Sequence, residues 1–478
     1  MKFTLGDVAR LAGGRLAGGS ARTVASRICV DSRRAVPGDL FVALPGAFAD
    51  GHDHVEAALR AGAAGALVAR PVTTVAGGGL GPLVLVDDPL AALRRIAAWV
   101  RDVVDPVVAG ITGSTGKTST KDLLGAVAAV KFRTVAAERS HNNELGVPLT
   151  VLAMSQDTEV LVCELGARGP GQIRDLCDYV RPQIGVVTNV GVTHYGQFGS
   201  IDAIVAAKSE LVVSLPEGGV AVLNADDDRV AGMAASAKAD VVTYGLGPGA
   251  WLRADGIELD ALGRPSFRLV RGYEQRPVRL RIAGYHQVSN ALAAAAAGVA
   301  LGLSLDEVQA GLESAAGSPW RMEVTQRGGL IVVNDAYNAN PTSLAAALRT
   351  CAAMVPLGGR LLAVLGYMAE LGEREVAEHE RAGALAAAVV QRLVVVGERA
   401  GRIAAGARLA GLDEVVVVPA ASVPNGAGAS VEDTALGALG ELREGDVVLV
   451  KASRVAGLER LAARLAAPAP VAGRAEPR

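Results

Sequence analysis

The stretch Gly110-Ile-Thr-Gly-Ser-Thr-Gly-Lys-Thr118 lies between an apolar run, Val107–Ala109, and a helix-forming stretch, Lys121–Val130. Strand, glycine loop and helix start follow one another in the order that a phosphate cradle requires. Glycines let backbone N–H groups turn onto phosphate oxygens, and the positive end of the helix reinforces them. Gly113, Ser114, Thr115 and Gly116 form the expected cradle. Lys117 is placed to reach the β- and γ-phosphates, and the Thr118 hydroxyl to hold Mg2+. The usual spacing has glycine at position 111, where this chain has Ile111, so the motif is a variant built on Gly110 and Gly113. ATP is the expected nucleotide.

Around this loop, short apolar runs alternate with helix-capable sequence. Val107–Ile111, Val160–Cys163, Ile184–Val187, Val220–Leu223 and Val241–Tyr244 read as buried strands. Such alternation predicts an α/β fold with a mostly parallel sheet covered on both faces. A smaller α/β series precedes it, with runs Ile28–Val30, Leu40–Leu44, Ala66–Ala69 and Leu83–Val86 and helical stretches His54–Ala63 and Leu90–Val103. A third follows, with Leu330–Val333, Leu361–Leu365, Leu393–Val396, Val415–Val418 and Val447–Val450. Proline breaks at Asp105-Pro106 and Ser318-Pro319 suggest three domains, 1–105, 106–318 and 319–467, with a disordered tail at 468–478. The length of 478 residues suits three domains at about 150 residues each.

Composition narrows the function. The formal charge is -2, from 47 Lys+Arg against 49 Asp+Glu, and no long basic run occurs, so neither nucleic acid nor an anionic membrane is an expected partner. Small molecules are. Cys29, Cys163, Cys177 and Cys351 form no CxxC pair, which suits reduced, buried thiols in a cytoplasmic protein without structural zinc. The Ala-rich run 290–305 reads as a helix in a soluble core, not a membrane span. The chain has seven lysines among its 47 basic residues, so a lysine marks a place where an amine is needed that a guanidinium cannot mimic. Glu164 follows the run Val160–Cys163 and so belongs at the carboxyl edge of the sheet, beside the phosphate loop, as a metal ligand.

The loop, read with four later segments, resembles the Mur ligase family of ATP-dependent amide-bond-forming enzymes. Those segments are His141-Asn-Asn-Glu-Leu-Gly-Val-Pro-Leu-Thr150, Glu164-Leu-Gly-Ala-Arg-Gly-Pro-Gly-Gln-Ile173, Asn334-Asp-Ala-Tyr-Asn-Ala-Asn-Pro341 and Lys451-Ala-Ser-Arg454. The likeness runs from about 31 to 460. It implies a small N-terminal α/β domain for a UDP-sugar, a central P-loop-type ATPase domain and a C-terminal Rossmann-like domain. It also implies a monomeric enzyme whose substrates are UDP-N-acetylmuramoyl-tripeptide, D-alanyl-D-alanine and ATP.

The resemblance carries residue roles. Glu164 and His194 would bind Mg2+, at one of two sites; from its context alone a structural histidine is an equal reading of His194, since Mg2+ prefers oxygen donors. Lys208, in Ala206-Ala-Lys-Ser-Glu-Leu211, would react with CO2 to give a carbamate at the second; by itself the segment reads as an ordinary helix with a solvated lysine. Asn290 would contact adenine, Arg321 phosphate and Asp335 the ribose hydroxyls. Ser32 and Arg33 would hold the UDP-sugar, Asn142 and Asn143 substrate, and Asn338 and Asn340 the dipeptide; an Asx-rich turn is an equal reading for the last pair, and a capped turn is the plain reading of Asp31-Ser-Arg33. Two positions depart from the family's pattern: Gln287, where an asparagine is usual, and Tyr367, where an acid is common. The preceding ligase of the same pathway would carry an Asp-Asn-Pro-Arg string, which is absent. A non-catalytic nucleotide switch would not need Glu164, His194 and Lys208 around one site.

Overall fold

Val107–Thr112 forms a strand buried from Val108 onward, paired in parallel with Val160–Glu164 on one side and Ile184–Val187 on the other. A strand covered on both faces needs no alternation, and its sequence is accordingly apolar throughout. The computed structural model describes residues 2–46, 49–72, 81–192, 195–419 and 430–467; the tail expected at 468–478 lies outside them.

Among the described residues the central sheet has nine strands. In spatial order these are Glu274–Arg279, Pro265–Arg271, Leu252–Leu259, Asp240–Gly245, Val220–Asn224, Ile184–Val187, Val107–Thr112, Val160–Glu164 and Thr134–Ala136. The antiparallel ladder at one end is not among the elements expected from apolar runs. Its strands interleave Arg268, Arg276 and Arg279 with buried Phe267, Leu269 and Val278, so no continuous apolar run marks them.

The loop helix, Lys117–Ala129, is packed by two others. The first, Gln287–Ala300, is buried along most of its length, as its alanines allow. It stops before Leu305, where the apolar run 290–305 suggested that it would continue. Gly302 takes φ of 86°, and Ser304 with Glu307 forms a capping box that starts a second helix, Leu305–Ser314. That second helix approaches so closely that a Cβ on Gly311 would lie 2.4 Å from Val127 Cα.

The N-terminal domain holds a five-stranded sheet in the order Arg15–Ala17, Leu83–Leu85, Gly65–Val68, Asp39–Val42, Arg27–Cys29, parallel except for the first pair. It connects through the helix Pro89–Val104, capped by Asp88. Leu93 and Ile96 of this helix share one core with Leu5 and Leu40 on the N-terminal side and Val147 and Leu176 on the central side, so the two domains are not separately packed. In the third domain the order is Glu323–Arg327, Leu330–Asp335, Val447–Lys451, Leu361–Gly366, Arg392–Val396, Val415–Val418. Successive strand residues feed two cores: Val333, Leu361 and Leu449 on one face, Val332, Leu362 and Val448 on the other. The four cysteines are free and buried, and no helix among the described residues is long and apolar enough to cross a membrane.

The Gly311 contact yields a test. Replacing a helical glycine by alanine normally gains about 1 kcal/mol of helix propensity. Here Gly311→Ala should instead destabilise by about 1–3 kcal/mol, because the methyl must displace backbone. Thermal unfolding should show a lower midpoint, and an unchanged or higher one would contradict the packing described.

Candidate active site

The parallel register sets Glu164 opposite Ile111, so the carboxylate and the phosphate loop emerge at one edge of the sheet. The loop is held from the next strand's end. Asn189 Oδ1 accepts from Thr115 N (2.9 Å) and Thr115 Oγ1 (3.0 Å), and Ser114 Oγ donates to Gly191 O (3.0 Å). Gly116, with φ of 80°, starts the helix without a side-chain cap, which leaves the first-turn amides to the cavity that they line. A Cβ at Gly116 would sit 2.3 Å from Asn290 Oδ1, so no larger residue fits there. Lys117 folds back, donating to Gly113 O (2.6 Å) and Ser114 O (3.2 Å). Loss of water lowers the pKa of its amine; nearby Glu164 opposes that shift and Arg321 adds to it.

Glu164 is the end point of a directed chain. Thr118 Oγ1 donates to Glu164 Oε2 (2.7 Å), which leaves the Ser140 hydroxyl as the donor in the 3.0 Å contact between Ser140 and Thr118. Arg321 Nη2, from the third domain, donates to Ser140 Oγ (2.9 Å). Asn142 Nδ2 donates to the other carboxylate oxygen (2.7 Å), so Asn142, expected to contact substrate, here fixes Glu164. Asn143 Oδ1 accepts from Gly146 N (2.9 Å), the first residue of the helix Gly146–Leu152, and Asn143 lines the cavity. Ser140 was not among the expected residues. Its position directly before the His141–Thr150 segment was the available signal.

These groups face the third domain across a cavity of about 1000 Å3. Arg321 lies 4.0 Å from the centre of the Tyr337 ring, and its Nε is buried without a partner. Asp335 also lines the cavity, but both its oxygens are engaged: Oδ1 accepts from Met322 N (3.2 Å) and Oδ2 from Lys451 Nζ (2.5 Å). Asp335, expected to meet the ribose hydroxyls, is ion-paired here, because the linker and the neighbouring strand both supply donors. Asn340 caps the helix Pro341–Met354 through Ser343, and Asn338 Oδ1 accepts from Ala339 N; both residues line the cavity.

Gln287 Oε1 accepts from Asn290 Nδ2 (2.8 Å), and the Thr120 hydroxyl approaches Asn290 Oδ1 (3.4 Å). The departure at 287 therefore orients Asn290. Next to it, burial pushes His286 down to about 4, and its Nδ1 has no partner. Tyr367 lies outside this cavity's lining and donates to Glu375 Oε2 (2.7 Å).

Lys208 sits on the helix Ile201–Val213 and is 2% exposed, not solvated. Among the described residues its amine makes no ion pair or hydrogen bond; it lies over the Phe198 ring, 5.9 Å from the centroid. Burial, with the Lys117 charge, lowers it to about 7. Glu210, two residues on, accepts from Gly171 N (2.6 Å) and Arg174 N (3.0 Å), anchoring this helix to the segment after Glu164. His194 lies outside the described residues. Ser32 and Arg33 do not line this cavity. Asp31 caps their 3-10 turn and pairs with the exposed Arg33 (2.8 Å).

The donor set suits Mg2+. Among the described residues no three acidic, His or Cys side chains converge. Mg2+ instead takes one or two carboxylates with phosphate oxygens and water, and Glu164 with the Thr118 hydroxyl offers that beside a phosphate cradle.

Comparison with known proteins places the chain. Residues 25–98 match the Mur ligase family catalytic domain, 111–298 the Mur ligase middle domain, and 320–454 the Mur ligase glutamate ligase domain. The UDP-N-acetylmuramoyl-tripeptide–D-alanyl-D-alanine ligase of Mycobacterium tuberculosis is 44% identical, over 98% of each chain. A crystal structure of MurF from Acinetobacter baumannii superposes with a TM-score of 0.84 at 30% identity, covering 98% of this chain and 99% of the other. A MurF ligase from Thermotoga maritima in complex with ADP gives 0.77 at 27% identity, over 91% and 96%. The chain belongs to the Mur ligase family.

Proposed function

We propose that this enzyme joins D-alanyl-D-alanine to UDP-N-acetylmuramoyl-tripeptide at the expense of ATP, through an acyl phosphate. The observation that carries this reading is the chain Arg321–Ser140–Thr118–Glu164, which brings a third-domain cation onto the phosphate loop across one cavity. The names of relatives matching almost end to end support the choice of substrates.

An amide does not form from a carboxylate in water without activation. The terminal carboxylate oxygen of the tripeptide attacks the γ-phosphorus, the bond to the β-phosphate oxygen breaks, and ADP leaves. The dipeptide amine then attacks the acyl carbon, phosphate departs and the amine loses a proton. Little covalent chemistry falls to the protein, which positions the partners and clamps developing charge. Lys117 turns from its own loop carbonyls to the β/γ-phosphates, and Arg321 offers its unpaired Nε and remaining N–H groups to the transferring phosphoryl. Glu164, Thr118, His194 and a carbamate on Lys208 would hold two Mg2+, which when bound offset phosphate charge. Asn290, held by Gln287, borders the base site, and Ser32 and Arg33 serve the UDP-sugar on the N-terminal domain. Asn143 and Asn338 line the space left for the acceptor peptide and dipeptide.

The environment of Lys208 supports the carbamate. A buried amine with no acceptor is held partly as the free base, the form that attacks CO2 to give N–COO− and a proton. The product places anionic oxygen where a bare ammonium would repel a metal.

Three outcomes are expected. Phosphate release should require both the UDP-tripeptide and D-alanyl-D-alanine; turnover of a UDP-dipeptide with a free diamino acid would overturn the substrate assignment. Lys117→Ala should lower kcat about 100-fold or more with folding intact by circular dichroism. Near-normal kcat would remove the phosphate-cradle reading. Lys208→Ala and Lys208→Arg should both lose most activity, with small carboxylic acids partly restoring the alanine variant; an active arginine variant would refute the carbamate.

A further inference from the structure

Arg321 is presented by an unusual piece of backbone. Trp320 and Met322, on either side of it, have φ of 62° and 52°, left-handed values that non-glycine residues rarely adopt. Such a linker keeps its shape only through tertiary anchors. Trp320 N donates to Glu323 Oε2 (3.0 Å), Met322 N to Asp335 Oδ1 (3.2 Å), and Tyr337 N to Trp320 O (3.1 Å). Tyr337 thus grips the residue before Arg321 with its backbone, while its ring lies 4.0 Å from the guanidinium carbon.

Among the described residues Arg321 has no carboxylate partner. Its donors are spent only on Ser140, and its Nε is buried and free. A carboxylate here would neutralise the charge and occupy the planar N–H fork that an incoming phosphoryl group needs. An aromatic face compensates the cation through its quadrupole and uses none of the in-plane donors.

We infer that Tyr337 is a positioning residue that aims the charged, unpaired Arg321 at the transferring phosphoryl group. The inference rests on the role given to Arg321 above and assigns Tyr337 no contact with substrate.

The test is a double-mutant cycle with Arg321→Ala, Tyr337→Leu and both together, following kcat and KM for each substrate. Tyr337→Leu should lower kcat about tenfold, with KM for the UDP-tripeptide and for D-alanyl-D-alanine within about twofold. In the Arg321→Ala background it should cost nothing further. Tyr337→Phe, which keeps the ring face, should restore kcat to within about threefold of the parent. Should leucine unfold the domain, Tyr337→Met takes its place. An equal loss in both backgrounds, or a phenylalanine variant as poor as leucine, would overturn the inference. Full activity of Tyr337→Leu beside an impaired Arg321→Ala would overturn it while leaving the role of Arg321 intact. An unimpaired Arg321→Ala would remove that role and the inference together.

Discussion

The hydrogen bond from Thr118 Oγ1 to Glu164 Oε2, 2.7 Å long, joins the first turn of a helix to the last residue of a strand. It exists because two parallel neighbours, Val107–Thr112 and Val160–Glu164, run in the same direction and end at one edge. Parallel pairing demands a crossover connection, and the crossover here carries the loop helix, Thr134–Ala136 and the Ser140–Asn143 turn. Phosphate loop, carboxylate and the turn that joins them to Arg321 are thus consequences of one topological choice. Asn142 on the second oxygen of Glu164 and Asn189 on Thr115 then fix the edge from both sides.

The parallel strands were legible in the sequence because burial on both faces leaves unbroken apolar runs such as Val447–Val450. The antiparallel ladder was not, since arginines and other polar residues break the apolar runs of Pro265–Arg271 and Glu274–Arg279. The helix end at Ala300 was missed for a different reason. The run 290–305 is apolar on both sides of the break, and only Gly302 and the Ser304–Glu307 capping box mark it.

The site was legible by residue type and less so by partner. The glycine loop was expected from its motif, Glu164 from its place at the end of an apolar run, and Arg321 only from the family resemblance. Which donors would saturate Asp335, or that Asn142 would turn to Glu164, depends on contacts between residues far apart in the chain, such as Lys451 with Asp335, and no spacing encodes them. Ser140 and Tyr337 escaped notice because a serine in a turn and a tyrosine in an Asn-rich loop have common structural roles. The geometry gives them a place only once Arg321 lies between them.

The scarcity of lysine acquires a physical account in the fold. Lys121 and Lys451 are buried, and Lys117 is folded into its loop. Each delivers a compact charge to acceptors deep in packed structure: Lys121 to Ala137 O, Lys451 to Asp335 and to Asn338 O, Lys117 to Gly113 O and Ser114 O. A planar guanidinium with five donors cannot be satisfied in such spaces, whereas on the surface, where arginine predominates here, water completes its shell. Lys208 is as buried as these and has no acceptor among the described residues. Ordinary packing therefore explains the other buried lysines and leaves this one unexplained as an ammonium. The carbamate proposed for Lys208 would remove that mismatch, because it replaces a buried cation with an anionic oxygen donor.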